Sequence, residues 1–196
     1  MVIRVAYQGE PGAYSDHAVI KFFGEESQRV PCGSFAEMCD AVVSGKADRG
    51  AMPIENSLAG TIHGNYDLLL RNPSLCIVGE LDYRVRHCLM ALRGVTIGEV
   101  KRVLSHPMAL AQVAHYLDSK ALRPEVFEDT AGSARYVRDS GVRDTAAVAS
   151  RRAAELYGLD ILDEGIEDSD QNYTRFLIIS REAEPYRTGL AYKTSI

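Results

Sequence analysis

The sequence predicts an α/β fold of two lobes, and three observations predict it. Short apolar runs alternate along the chain with segments whose apolar residues recur every three to four positions, which is the pattern of strands and helices in turn. Nearly every apolar run is followed by a Gly, Ser, Thr or Asn, residues that turn a chain or open a helix. Near the middle the rhythm breaks in a long extended stretch, residues 75–92, which can carry the chain from one α/β unit into another.

In order, "VIRVAY" (2–7) reads as a strand and "QGEPGAYS" as the turn behind it, with Ser15 capping a helix that runs to about Phe23. "QRVPC" is a second strand. "SFAEMCDAVVSG" opens on a Ser34-x-x-Glu37 capping box and stops at Gly45, with Phe35, Met38, Val42 and Val43 on one face. "RGAMPI" (49–54) is a strand and "NYDLLLR" (65–71) a short helix. In the stretch 75–92 the alternation Leu81, Tyr83, Val85, His87 predicts a long strand or paired strands. "VKRVLS" is a strand, and Pro107 suits the first position of a helix over 107–118. "PEVFED" is a strand, 131–139 a helix, "TAAVAS" a strand, and Ser150 caps a helix that ends at Gly158. "DILDEG" and "TRFLIIS" follow. This order implies mostly parallel sheets with helices on both faces. The stretch 75–92 and "TRFLIIS" are the two crossings between lobes, so a hinged cleft is expected.

The totals narrow the function. The chain has 196 residues, 46% of them apolar and 25% charged, enough to fill the cores of two compact lobes. A net charge of -5 argues against a nucleic-acid partner, and no apolar run reaches the length of a membrane span. "MVIRVAYQG" has no signal-peptide pattern. Cys32, Cys39, Cys76 and Cys88 form no C-x-x-C pair and read as reduced and mostly buried, in a cytosolic or stromal compartment. His17, His63, His87, His106 and His115 show no metal-ligand spacing and read mainly as surface or core histidines. No metal is expected.

In sheets of this kind ligands collect beyond the carboxyl ends of strands. There the sequence places Gln8-Gly9 and Gly12, then Glu55-Asn56-Ser57 with Gly60-Thr61, then Ser105-His106, then Thr130 and Ser133, and at the second crossing Asn172, Thr174 and Arg175. Simple capping accounts for Ser34 and Ser150. Glu55, Asn56 and Ser57 together are more than one cap requires. Strand alternation puts Thr174 and Phe176 on one face and Arg175 on the other. Arg175 needs an anion there, which is either an acid of the protein, such as Glu55 or Asp170, or a ligand carboxylate. Hydroxyls, an arginine and no Gly-rich phosphate loop suit a small dicarboxylate.

The segments "VAYQGEPGAYS", "MPIENSLAGTIHGNYDLL", "SHPMALAQ", "DTAGSA", "AAVASRRAAELYGLDIL" and "NYTRF" resemble, in order, the motifs of the prephenate and arogenate dehydratases, through essentially the whole chain. The resemblance implies two αβα lobes like those of type II periplasmic binding proteins, with the active site in the cleft between them. Lobe one is then 1–78 plus 173–196 and lobe two 79–172. It implies decarboxylating dehydration of prephenate to phenylpyruvate in phenylalanine biosynthesis, or of arogenate to phenylalanine directly. Carried over residue by residue, it implies catalytic roles for Thr174, Glu55 and Ser57. It implies substrate contacts from Asn56, Arg175, Phe176, Ser105, Thr130, Asn172 and Gln112.

No redox cofactor or metal is required by that reaction. The resemblance also implies a homodimer or higher homo-oligomer, and cytoplasmic location, or the plastid stroma in a plant or alga. Two departures stand out. Met108 follows Ser-His-Pro, where the family usually has glutamine. The chain stops at "YKTSI", the expected start of an ACT domain that would bring phenylalanine regulation. A threonine hydroxyl is a weak acid, so Thr174 is expected to donate a strong hydrogen bond to the leaving hydroxyl, with Glu55 and His106 as candidate relays. Two other readings are a non-catalytic small-molecule binding module on the same fold and, prompted by Met108, an inactive regulator.

Overall fold

The computed structural model describes residues 2–185, 188 and 189. The segment "YKTSI", read as the start of a regulatory domain, lies outside the described residues.

The elements run β1 (Arg4–Gln8), α1 (Tyr14–Phe23), β2 (Gln28–Cys32), α2 (Phe35–Val43), β3 (Arg49–Asn56), β4 (Gly60–Thr61), α3 (His63–Arg71) and β5 (Cys76–Arg84). They continue as β6 (Cys88–Ala91), β7 (Arg102–Ser105), α4 (Pro107–Ala111), α5 (Ala114–Ser119), β8 (Arg123–Val126), α6 (Thr130–Ser140), β9 (Thr145–Ala149), α7 (Arg151–Tyr157), β10 (Asp160–Glu164) and β11 (Tyr173–Ser180). Two sheets form. The first has the order β2-β1-β3-β11-β5 with β4 beside β3; the second has the order β10-β6-β9-β7-β8.

Each sheet is covered on both faces. In the first, Val5, Tyr7, Phe176 and Ile178 pack with Ala18 and Val19 of α1, while Ala6, Met52, Leu177 and Ile179 pack with Met38 and Val42 of α2. In the second, Val103 and Val148 meet Leu110 and Leu117 of α4 and α5, while Leu104 and Ala147 meet Val137 and Ala153 of α6 and α7. Apolar residues alternate between the two cores along each strand because successive side chains point to opposite faces.

The sheets are mixed, where the alternation of elements predicted mostly parallel ones. β1 pairs in parallel with β2 and β3, and β7 with β8 and β9. β11, however, runs antiparallel between β3 and β5, and β6 antiparallel between β9 and β10. The cause is common to both. The chain leaves β5 at its carboxyl end and enters the second sheet from that side as β6. It leaves β10 likewise and re-enters the first sheet as β11. A strand entered from the carboxyl tips of its neighbours can only run against them. The segments that cross are therefore 85–87 and 165–172. All of β5, through Arg84, pairs with β11, so a boundary at 78/79 would cut a strand of the first sheet.

Local departures have local causes. Ser15 lies inside α1; the residue before the helix is Ala13, which contributes no side-chain cap, and Asp16 Oδ2 instead accepts from Gly12 N–H at 2.9 Å. Ser34 accepts from Glu37 N–H, but Glu37 Oε2 reaches Gly33 N–H at 2.8 Å. β3 extends through Glu55 and Asn56 because β11 and β4 pair with them. The helix expected over 107–118 breaks into α4 and α5 at Gln112 and Val113, and the carbonyl of Gln112 accepts from Asp168 N–H of the second crossing at 2.8 Å. The cap of α6 is Asp129, whose Oδ1 accepts from Gly132 N–H at 2.6 Å.

Candidate functional site

The carboxyl tip of β3 and the start of β11 form one ladder rung, in which Asn56 is the partner of Thr174 and Thr174 in turn the partner of Tyr83 on β5. Partners in a rung share a face, so Asn56 and Thr174 meet. Asn56 Oδ1 accepts from the N–H groups of Leu58 and Ala59 at 3.0 and 2.9 Å, which fixes its amide the other way round. Its Nδ2 therefore donates, lying 3.0 Å from Thr174 Oγ1 and 2.8 Å from Asn172 Oδ1. Thr174 is half-buried, and among the described residues no acceptor takes its own hydroxyl proton. A hydroxyl that accepts from a fixed amide and keeps its proton for an incoming group is a directed donor.

The amide chain continues into the second sheet's layer. Asn172, which is fully buried, donates from Nδ2 to Gln112 Oε1 at 3.0 Å. Gln112 Oε1 also accepts from His87 Nε2 at 2.8 Å. Because Gln112 presents an oxygen, His87 carries its proton on Nε2, and Nδ1 accepts from Tyr14 Oη at 2.6 Å. Burial pushes the His87 pKa down, against smaller opposing effects from the Gln112 bond and Glu167, so the ring is held neutral. Burial pushes the Tyr14 hydroxyl well up, which keeps it a donor. Gln112 thus holds both crossings, the first through His87 and the second through Asn172 and Asp168.

Thr174, Asn56, Asn172 and Gln112 come together as one hydrogen-bonded unit. The other predicted residues do not join it. Glu55 is the rung partner of Arg175, one residue along β3, so it lies on the face away from Thr174 and cannot act as its relay. Arg175 is on that same far face, and its Nη2 and Nε reach Glu80 Oε2 at 2.5 and 3.1 Å. Its anion is Glu80, not Glu55 or Asp170, and this bond raises the guanidinium pKa further. Ser57 donates to the Gln171 carbonyl and accepts from Tyr173 N–H at 2.9 Å, pinning the exit of β3 to the entry of β11. Ser105 is fully buried and donates to the Val148 carbonyl at 2.6 Å, bridging β7 to β9. Phe176 is a core residue, edge-on to Tyr83. Thr130 is the half-buried first residue of α6. His106 Nδ1 caps α4 by accepting from Met108 N–H at 3.2 Å, and Met108 itself is exposed.

The two sheets touch through the loop after β1. Ser150 Oγ donates to the Gly12 carbonyl at 2.6 Å and Tyr157 Oη to the Pro11 carbonyl at 2.7 Å. Gly12 has φ +89, and a Cβ there would stand 3.0 Å from Ala153 Cα. Beside this contact lies a cavity of about 500 Å3, walled by Gly9 and Glu10, by Pro31 and Cys32, and by Phe127 and Asp129. Thr174 is not among its lining residues. Among the described residues no three His, Cys, Asp or Glu side chains are grouped to hold a metal ion. The sequence reading did not single out His87 or Tyr14. The signal for His87 was its place as the fourth inward position of the alternation through Leu81, Tyr83 and Val85, where a polar ring needs a partner.

Comparison with known proteins gives these likenesses. The family model described as "Prephenate dehydratase" matches residues 5–184. "Arogenate dehydratase/prephenate dehydratase 6, chloroplastic" of Arabidopsis thaliana is 50% identical over 99% of this chain and 47% of its own length. "Arogenate dehydratase 1" of Petunia hybrida is 50% identical over 99% of this chain and 46% of its own length. The chain thus spans about half the length of the curated relatives it matches. Among solved structures, the prephenate dehydratase of Arthrobacter aurescens in complex with L-Phe superposes with a TM-score of 0.87 at 28% identity, covering 95% of this chain and 63% of that one. A protein described as "GqqA- a novel type of quorum quenching acylases" superposes with a TM-score of 0.83 at 42% identity, covering 94% of this chain and 65% of that one.

Proposed function

Since the chain belongs to the prephenate dehydratase family, we propose that it catalyses decarboxylating dehydration of prephenate to phenylpyruvate, with Thr174 as the group that assists departure of the ring hydroxyl. The C1 carboxylate leaves as carbon dioxide, and its bonding pair enters the ring as the bond from C4 to the hydroxyl breaks. Thr174 donates to that oxygen, which leaves as water with a proton drawn ultimately from solvent. The step is redox-neutral and aromatisation drives it, so the protein has to orient and donate and needs no cofactor. The observation that carries the reading is the Asn56–Thr174 bond, which engages a lone pair of Oγ1 and leaves its proton unclaimed.

Asn56, Asn172 and Gln112 keep that donor aimed. The hydroxyl of Thr130, at the amino end of α6, suits a substrate carboxylate. Arg175 supports the strand tip from behind through Glu80 and does not grip the substrate. The grip belongs on the side-chain carboxylate, because tight holding of the ring carboxylate would oppose its loss.

Two lobes, divided at the crossings 85–87 and 165–172, pivot about the Gln112 contacts in this reading. Arogenate is the second substrate reading, favoured by the names of the plant relatives. A homodimer or higher homo-oligomer, a plastid or cytoplasmic location, and phenylalanine control where a regulatory domain is present complete it. The test is incubation with prephenate and, separately, arogenate, with product followed by absorbance and chromatography. Phenylpyruvate from the first is expected; phenylalanine from the second alone would shift the assignment to arogenate. Aromatic product from neither would overturn the reading.

A further inference from the structure

A second cavity, of about 380 Å3, opens between the sheets on the side of their edge strands β5 and β10. Its walls come from both halves of the molecule: Lys21 of α1, Tyr83 and Arg84 at the end of β5, Arg86 of the first crossing, Arg151 at the start of α7 and Glu164 at the end of β10. We infer that this cavity is a binding site for a small polyanion bearing phosphate or carboxylate oxygens, separate from the Thr174 site.

Charge carries the inference. The chain is acidic overall, at -5, yet four cationic side chains converge on this one concavity. Its lining carboxylate, Glu164, pairs with Arg151, so the excess positive charge is that of Lys21, Arg84 and Arg86. Neither Arg84 nor Arg86 forms an ion pair with any described carboxylate. Like charges crowded into a cleft with low-dielectric walls repel one another and focus a positive field on the space between them, and a bound anion relieves both. The volume lies at the low end of the roughly 300–1,000 Å3 that small-molecule sites occupy.

The backbone makes room for the arrangement. Gly165 has φ +67, and a Cβ there would stand 3.0 Å from Arg86 Nη2, so that guanidinium lies against bare main chain. The polar lining beyond the cations adds donors without adding negative charge. Tyr83 Oη is paired with His17 Nδ1 at 2.9 Å, the Lys21 ammonium sits 5.7 Å from the Tyr83 ring centroid, and burial pushes the Tyr83 hydroxyl up to about 12. Thr174, Asn56, Asn172 and Gln112 do not line the cavity. Tyr83, the rung partner of Thr174, links it to that tip. An occupant held by Lys21 and Arg84 on one side and Arg151 on the other ties the two sheets together.

The test is calorimetric titration of the full chain at low ionic strength with inorganic phosphate and, separately, with citrate. Saturable binding of at least one anion is expected, and the tighter of the two identifies phosphate or carboxylate as the natural chemistry. The double variant Arg84→Gln/Arg86→Gln is expected to weaken it at least tenfold. Arg123→Gln, an exposed control on β8, and Thr174→Ala are expected to leave it within twofold. Far-UV circular dichroism checks the fold of the double variant; should it fail to fold, the single substitutions at these exposed positions replace it. Equal affinity in the double variant overturns the proposal, as does loss of binding in Thr174→Ala or no saturable binding of either anion by the unaltered chain. Because Thr174→Ala removes the dehydration step and not this cavity, failure here and failure of the dehydratase reading are told apart.

Discussion

Thr174 and Arg175 are neighbours in sequence with opposite situations in the structure. Thr174 faces the second sheet's layer in contact with Asn56, its proton unclaimed. Arg175 faces away and is occupied by Glu80 across β5. Both are polar residues at the start of an apolar strand, and both looked equally fit to meet a ligand. What separates them is the period of two in a strand, which sends adjacent side chains to different surfaces, and the presence of an acid on only one of those surfaces. Polarity at a strand tip is therefore not itself a sign of function. A polar group whose hydrogen-bonding capacity is left incomplete by the protein is the better sign.

Substitutions at and around this pair sharpen the contrast, beginning with the most severe. Thr174→Ala removes the directed donor, and kcat is expected to fall by about 10²–10⁴, the range that general acid assistance contributes. A thermal midpoint unchanged within a degree or two should accompany it, and near-normal turnover would end the assignment. Asn56→Asp keeps the acceptor that holds Leu58 and Ala59 but loses both N–H donors. A fall in kcat of roughly 10–100-fold with little change in KM is expected, less than the roughly 10²–10³ of one lost oxyanion-type donor because Asn56 acts through Thr174. A change confined to KM would mean that Asn56 binds substrate instead of aiming Thr174.

His87→Gln reaches the same donor from four links away. A fall of a few-fold in kcat is expected, and a diagnostic change in the pH dependence of stability. His87 has a folded pKa below its usual 6.5, so the unfolded chain takes up a proton first as pH falls. Its contribution is complete above about 6.5 and is lost as pH drops toward and through the folded value. The groups facing it are Tyr14 of α1, Gln112 at the end of α4 and Glu167 of the second crossing. Thermal melts between pH 7.5 and 5 should show a steeper decline in the native chain than in His87→Gln; parallel curves would remove His87 from the account. Arg175→Ala should do least. Its ion pair is partly exposed, so a loss of about 0.2–1 kcal/mol by denaturant titration and under threefold in kcat/KM is expected. A large rise in KM would instead restore Arg175 as a substrate ligand.

Much of the layout was legible in the sequence, for identifiable reasons. Period and punctuation located the strands and helices to within a few residues, because Ser34, Pro107, Ser150 and Gly158 each carry a local conformational preference that tertiary contacts did not override. Strand direction was not legible. The reversal of β6 and β11 follows from where the chain re-enters a sheet, a property of the crossings that no local pattern encodes. Nor was the break at Gln112 visible, since 107–118 is helical in composition and the interruption serves contacts made by segments far along the chain.

For the site, Thr174 is expected from the sequence as the catalytic donor and Asn56, Asn172 and Gln112 as substrate contacts. What the sequence does not show is that these three are hydrogen-bonded in a row that ends on Thr174. Ser57 and Ser105 each bond to a backbone carbonyl of another segment, and a hydroxyl that bridges two segments is indistinguishable in sequence from one that greets a ligand. Glu80 could not have been found at all: it is brought to Arg175 by a strand register, across a separation of 95 residues.

The loop glycine that abuts α7 has a mechanical consequence. With only a hydrogen for a side chain, Gly12 sets how near the two halves of the molecule can come, and the Ala153 backbone is the stop it meets. Any bulkier residue there becomes a wedge in the jaw. Even one methyl group would have to push the Ala153 backbone back, so the fit of the two halves is set by a residue that never touches the reactant.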